Sequence, residues 1–243
     1  MGLHGVMKIR MLLAVCCLCS TGHAEQVEKA FEGKVEVAVG YRYLLGLPEG
    51  YEADTGKRWP LIVFLHGAGE RGDDLELLKR HGPPKLIEAG RNLGAIVASP
   101  QVEEGEIWDP HAVKALTDAL VATLRVDVGR IYLTGISMGG FGTWETVFSY
   151  PDTYAAIVPI CGGTGVRWLL AERVKDLPAW IFHGGKDTVV PPENSEKIHA
   201  ALKKAGSQAK MTIYPEAKHD SWTVAYDDPE LWDWLMKQRR AVD

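Results

Sequence analysis

Short apolar runs separated by helical patterns dominate the chain from residue 61 onward. Leu61-Ile-Val-Phe-Leu65 is continuously apolar, as a strand covered on both faces must be. Ala95–Ala98, Ile131–Thr134, Ala155–Ile160, Ala179–Phe182 and Met211–Tyr214 repeat the theme. Between them Val113, Leu116, Leu120 and Leu124 recur at helical spacing behind Pro110, which predicts a helix over His111–Val126. Asn194–Ala205 and Glu230–Arg239 read as two more helices. Such alternation builds an α/β fold, a mostly parallel sheet with helices on both faces and reactive groups at the carboxyl ends of its strands. Nearer the start, Val35, Val37 and Val39 alternate at period two, and Tyr41-Arg-Tyr-Leu-Leu45 follows after Gly40. These predict an antiparallel N-terminal hairpin at the sheet edge.

The first 24 residues follow a different pattern. They hold no Asp or Glu, place Lys8 and Arg10 before the apolar run Met11–Leu18, and end with Gly22 and Ala24. A basic region, a short apolar stretch and small residues at −3 and −1 describe a secretory signal peptide cleaved after Ala24. The run is too short for a span of ~20 residues, so no membrane crossing is expected. Met7 offers an alternative start with a tighter basic region. The expected organisation is therefore a signal peptide over 1–24 and one catalytic domain over 25–243, secreted or periplasmic. No repeat, low-complexity tract or polar linker interrupts the second part. Cleavage would remove Cys16, Cys17 and Cys19 and leave Cys161 alone, which excludes an internal disulfide. Cys161 closes an apolar run and reads as a buried, inert thiol.

Composition narrows the function classes. An apolar content of 46% with 24% charged residues excludes disorder. The net charge of −5, or −7 without Lys8 and Arg10, gives no footprint for nucleic acid or an anionic membrane surface. The partner expected is a small-molecule or polysaccharide-linked substrate; oligomeric state is not legible.

The chemistry concentrates where strands end. Ile131-Tyr-Leu-Thr-Gly135-Ile-Ser137-Met-Gly139 runs a strand through a tight turn into a helical segment, with the spacing G-x-S-x-G. That context holds a serine on strained backbone, with Gly135 and Gly139 allowing strand and helix to approach closely. A serine hydroxyl needs a base, and the base an orienting acid. Asp187 lies just past the strand Ala179–Phe182 in His183-Gly-Gly-Lys-Asp187, and His219 just past the strand Met211–Tyr214. The order Ser, acid, His suits this arrangement. Asp176 and Asp220 lack the strand-then-loop context, and His111 and His199 fall on helices. His81 sits in a loop that it shapes, and His183 would reverse the order. After Leu65, the turn His66-Gly-Ala68-Gly places a backbone N–H of Ala68 to join that of Met138 as an oxyanion hole. His66 braces this turn. The histidines lack metal-ligand spacing, so neither a metal nor a cofactor is expected.

Taken together, His66-Gly-Ala-Gly-Glu-Arg-Gly-Asp73, Gly135–Gly142, His183–Asp187 with Val190-Pro191, and Tyr214-Pro with His219–Trp222 resemble one group of α/β-hydrolases. That group is the secreted bacterial esterases of phospholipase/carboxylesterase or prolyl-oligopeptidase-like type, related to feruloyl and acetyl-xylan esterases. The resemblance runs from about Tyr41 to Trp234. It implies an α/β-hydrolase fold, a Ser137–Asp187–His219 triad, and Gln101 and Trp108 as pocket-lining positions, with a buried structural role equally open to Trp108. Dienelactone hydrolases resemble the same fold but use cysteine where this chain has Ser137. The expected activity is carboxylic-ester hydrolysis through an acyl-enzyme on small or aromatic, feruloyl- or acetyl-type esters. The rivals are a peptidase or amidase, distinguished by amide cleavage, and a non-catalytic binding protein, distinguished by affinity without turnover.

Overall fold

The computed structural model describes residues 26–242; the expected signal peptide, its expected cleavage point and Cys16, Cys17 and Cys19 lie outside them. The chain divides into two units, Met1–Val37 and Ala38–Asp243. In the first, residues 26–37 carry no regular secondary structure. The second holds seven strands: β1 (Arg42–Gly46), β2 (Trp59–Leu65), β3 (Ile96–Gln101), β4 (Val126–Ile136), β5 (Ala156–Ile160), β6 (Trp180–Gly184) and β7 (Lys210–Tyr214). Six α-helices accompany them: α1 (Gly82–Glu88), α2 (Pro110–Thr123), α3 (Met138–Ser149), α4 (Glu193–Lys204), α5 (Trp222–Asp227) and α6 (Pro229–Lys237).

The strands form one sheet in the order β1-β3-β2-β4-β5-β6-β7. Only β1 runs antiparallel, pairing Arg42 with Gln101 through Gly46 with Val97. The hairpin expected from Val35, Val37 and Val39 therefore needs correction: residues 35–41 are not a strand, and the antiparallel partner of β1 is β3. Period-two alternation specifies a two-faced extended segment, not what it pairs with.

The buried strands read as the apolar runs foretold, because each sheet face is covered. Leu61, Val63 and Leu65 of β2 pack on one face with Val113 and Leu120 of α2, Trp144 and Phe148 of α3, and Ile198 and Leu202 of α4. Ile62 and Phe64 point the other way, into a core with Tyr226 of α5 and Leu231, Trp232 and Leu235 of α6. Helix starts are set by Asp-Pro pairs. Asp109 accepts from the His111 N–H at 2.8 Å ahead of α2, and Asp228 accepts from the Glu230 N–H at 2.8 Å ahead of α6. The chain moves from β2 outward to β3, then returns to the other side of β2 for β4. That reversal opens a crevice at the carboxyl ends of β2 and β4. No described helix is long and apolar enough to cross a membrane.

Candidate active site

The crevice between β2 and β4 is where Ser137 emerges. It is the residue between β4 and α3, with φ 51° and ψ −115°, a conformation that side chains other than glycine rarely adopt. The fold around it enforces the turn. A Cβ on Gly139 would lie 1.9 Å from the Leu65 carbonyl oxygen, and one on Gly135 would lie 2.3 Å from that of Gly139. Only bare backbone lets α3 start against the ends of both strands. The Ser137 N–H donates to the Ile160 carbonyl at 2.9 Å, and the Ser137 carbonyl accepts from Phe141 N–H at 3.1 Å. The hydroxyl is thereby left on the crevice side.

Asp187 and His219 arrive on loops beyond β6 and β7. The two loops are stitched together: Gly185 N–H donates to the Tyr214 carbonyl at 2.8 Å and Lys186 N–H to the Ala217 carbonyl at 2.9 Å. Asp187 is buried, His219 half-buried. His219 Nδ1 lies 2.7 Å from Asp187 Oδ2, and its Nε2 lies 2.9 Å from Ser137 Oγ. A carboxylate only accepts, so Nδ1 carries the proton and Nε2 is free to accept the serine O–H. Asp187 Oδ1 accepts from the Val189 and Val190 amides, each at 2.9 Å. Burial by itself would raise the Asp187 carboxyl; the hydrogen bonds from His219, Val190 and Val189 outweigh it and hold the group below its usual range. The acid is thus a fixed anion behind the imidazole.

His183 supports that acid from below. It is fully buried, its Nε2 lies 2.8 Å from the Val190 carbonyl and 3.3 Å from Asp187 Oδ2, and its Nδ1 meets Ser195 Oγ at 2.7 Å. Nε2–H donates to the Val190 carbonyl, and Ser195 Oγ, which meets Nδ1, also donates to the Gly162 carbonyl at 3.2 Å, tying the ring to Gly162 just past β5. Trp222, at the start of α5, stands edge-on to His219 with ring centroids 5.3 Å apart and donates its N–H to His81 Nδ1 at 3.2 Å. Cys161 is buried with φ 42°, and burial raises its thiol far above the ordinary value. Its Sγ, an Asp187 oxygen and a His219 nitrogen lie within 4.8 Å of one another, the one such potential metal-ligand group among the described residues. Asp187 and His219 already spend their facing atoms on each other.

Ala68 opens the 3-10 turn Ala68–Glu70 after β2, and Met138 opens α3 after β4, so both main-chain positions follow the carboxyl ends of two paired strands. The turn is held by His66, whose Nδ1 lies 2.5 Å from the Gly67 carbonyl while its Nε2 accepts from the Val102 N–H at 3.0 Å. Burial, partly offset by the hydrogen bond to Gly67, lowers the His66 pKa to about 4 and keeps the ring neutral.

A cavity of about 460 Å³ adjoins Ser137, lined by Ile107, Trp108, Met138, Phe141, Gly142 and Glu145. Trp108 is at once a wall and a brace: it is buried and donates its N–H to the His66 carbonyl at 3.1 Å. Gln101 does not line the cavity, and that expectation needs correction. Its amide is turned into the loop after β2, donating to the Glu70 carbonyl at 2.9 Å and the Asp74 carbonyl at 2.8 Å. The resemblance implied a pocket position, but the carbonyls of Glu70 and Asp74 claim the side chain. Sequence reading missed Phe141 and Glu145, although their spacing of four and eight residues from Ser137 places them on one helix face. A larger cavity, about 580 Å³ between Arg167–Val174 and α4, contains none of these groups.

A family model described as the dienelactone hydrolase family matches residues 99–228, a stretch that contains Ser137, Asp187 and His219. A putative carboxymethylenebutenolidase of Escherichia coli is 33% identical over 100 residues, 38% of this chain and 37% of that protein. A probable feruloyl esterase C of Aspergillus terreus is 27% identical over 160 residues, 63% of this chain and 57% of that protein. Among solved structures, a thermostable esterase superposes with a TM-score of 0.70 at 32% identity, over 82% of this chain and 59% of its own. The chain spans less than half the length of the curated relatives matched first, between 22% and 45%.

Proposed function

This chain belongs to the dienelactone hydrolase family, and from that premise we propose that it is a serine carboxylic-ester hydrolase acting on small or aromatic acyl esters. The observation that carries the reading is the unbroken line Ser137 Oγ–His219–Asp187, with contacts of 2.9 and 2.7 Å. In the first step His219 Nε2 takes the Ser137 proton as Oγ bonds to the ester carbonyl carbon. The carbonyl electron pair moves onto oxygen, where the N–H groups of Ala68 and Met138 receive it. Asp187 holds Nδ1 and stabilises the imidazolium. Collapse of the intermediate breaks the bond to the alcohol, which leaves with the proton from His219. Water then repeats the sequence on the acyl-enzyme, giving up its proton to His219 and releasing the acid. Ser137, His219 and water account for every proton moved.

The cavity favours this class of substrate. Apart from Ser137 and Glu145 its walls are apolar and aromatic, and its volume falls in the range of small-ligand sites, roughly 300–1,000 Å³. The leader over residues 1–24 supports action outside the cytoplasm; N-terminal sequencing of the mature protein should begin at Glu25. The test of function is turnover of p-nitrophenyl acyl esters, methyl ferulate, acetylated xylan and a peptide amide, with Ser137→Ala alongside. Ester turnover that the substitution lowers by about 10³-fold or more supports the proposal. Ester turnover no greater than that of the Ser137→Ala protein sinks it.

A further inference from the structure

Resting on that reading, we propose that Glu145 is the residue that recognises the far end of the acyl group, selecting aryl acyl esters that carry a terminal hydroxyl. Ser137, which caps α3, and Phe141 and Glu145 on it follow one another at four-residue intervals, and all three line the same cavity. At about 1.5 Å per residue, Glu145 stands about 12 Å along the helix axis from Ser137, and its side chain leans back toward the serine. Phe141 lies between them in sequence and shares the lining with Ile107 and Trp108, an apolar and aromatic set that suits a ring. Gly142 leaves room beside it, since a Cβ there would come within 2.7 Å of Trp108. An acetyl group ends at the foot of this channel. An aryl ring on a short conjugated chain reaches the far end.

Glu145 is the one ionisable side chain in that lining. Its Oε2 is paired with Arg167 Nε at 2.6 Å, which anchors the carboxylate from outside the cavity. Oε1 has no hydrogen-bond partner among the described residues, and a carboxylate retains acceptor sites after one ion pair. A fixed acceptor at the end of an apolar channel recognises a donor. A phenolic O–H meets that requirement, a bare ring leaves the acceptor to water, and a terminal carboxylate meets like charge.

The test measures kcat/KM for three methyl esters: cinnamate, 4-hydroxycinnamate and 4-carboxycinnamate. The expected wild-type order is hydroxyl over unsubstituted by about five- to tenfold, the scale of one hydrogen bond to a half-exposed charge, with the carboxylate last. Glu145→Leu should bring the hydroxyl-to-unsubstituted ratio near one, while Glu145→Gln, which keeps an acceptor, retains part of it. Ratios within one protein preparation are independent of how much of it is folded. Should the leucine variant not accumulate, the near-isosteric glutamine variant carries the test at this half-exposed position. An unchanged ratio in the variants overturns the assignment while leaving ester hydrolysis standing. A wild-type preference for the carboxylate also overturns it, transferring recognition to Arg167. Failure of all three esters, together with every ester of the first panel, removes the functional reading itself and this inference with it.

Discussion

Ser137 in its turn combines the proposed nucleophile with backbone strain, and two substitutions separate them. Ser137→Ala and Ser137→Gly both delete the hydroxyl and its 2.9 Å contact with His219, so both should lower kcat by about 10³-fold or more. They differ in the backbone. At φ 51°, ψ −115° alanine keeps the strain of the native residue, whereas glycine adopts the conformation freely. Such strain is of order 1–3 kcal/mol. Glycine loses about 0.5–1 kcal/mol more than alanine in ordering the unfolded chain. The difference leaves the glycine variant about 1 kcal/mol more stable than the alanine variant, or about 2–4 °C in Tm for a chain of this size. Calorimetry and urea melts of the two inactive proteins, run side by side, measure it directly. The hydroxyl, its hydrogen bond and any effect on substrate cancel in the comparison. If the alanine protein is equally stable or more so, strain at the elbow is no larger than glycine's entropic cost of about 0.5–1 kcal/mol, and the account of Gly135 and Gly139 as enforcers of a strained turn fails with it.

Three further outcomes follow from the same geometry. Asp187→Asn preserves shape but lets the wrong nitrogen of His219 carry the proton; kcat should fall by about 10³–10⁴-fold with little change in KM, and a loss under tenfold would remove the acid from the mechanism. His66 is neutral in the fold down to about pH 4, whereas the unfolded chain takes up that proton near pH 6.5. Stability from this residue is therefore complete above about pH 6.5 and lost as pH falls toward 4, up to about 3 kcal/mol; urea melts at pH 7, 5.5 and 4 should show a shallower slope in His66→Gln, and an identical slope would refute the assignment. Asp187, held below the usual carboxylate range, adds its own loss of stability at still lower pH. Cys161, buried beside the Asp187–His219 pair, should be silent to a thiol reagent in the native mature protein and react once unfolded, and prompt native labelling would contradict its burial.

Much of this molecule is written locally. A strand buried on both faces must be apolar throughout, so β2, β5 and β6 announce themselves, and an Asp-Pro pair before a periodic stretch announces α2 and α6. Ser137, Asp187 and His219 were legible for a related reason: each follows a strand, and parallel strands covered by helices bring their carboxyl ends to one edge. Glycines at 135 and 139 marked the sharp turn because no larger residue fits it.

What the sequence left open is what depends on partners distant along the chain. Alternating valines at 35, 37 and 39 carry a strand's period, yet β1 pairs instead with β3, more than fifty residues on. Hydrogen bonding between backbones is indifferent to side-chain identity, so pairing is chosen by the whole sheet. Gln101 and Trp108 looked alike as candidate pocket residues. Only the packed loop after β2 decided that one would satisfy buried carbonyls and the other would form a wall. The cavity itself comes from the segment ahead of α2 lying against α3, an encounter of residues 107–108 with 138–145 that no local pattern encodes. Periodicity and strain are properties of neighbours in sequence, and the chain carries them in plain sight. Register, rotamer and cavity shape are settled when distant surfaces compete for the same space and the same hydrogen bonds.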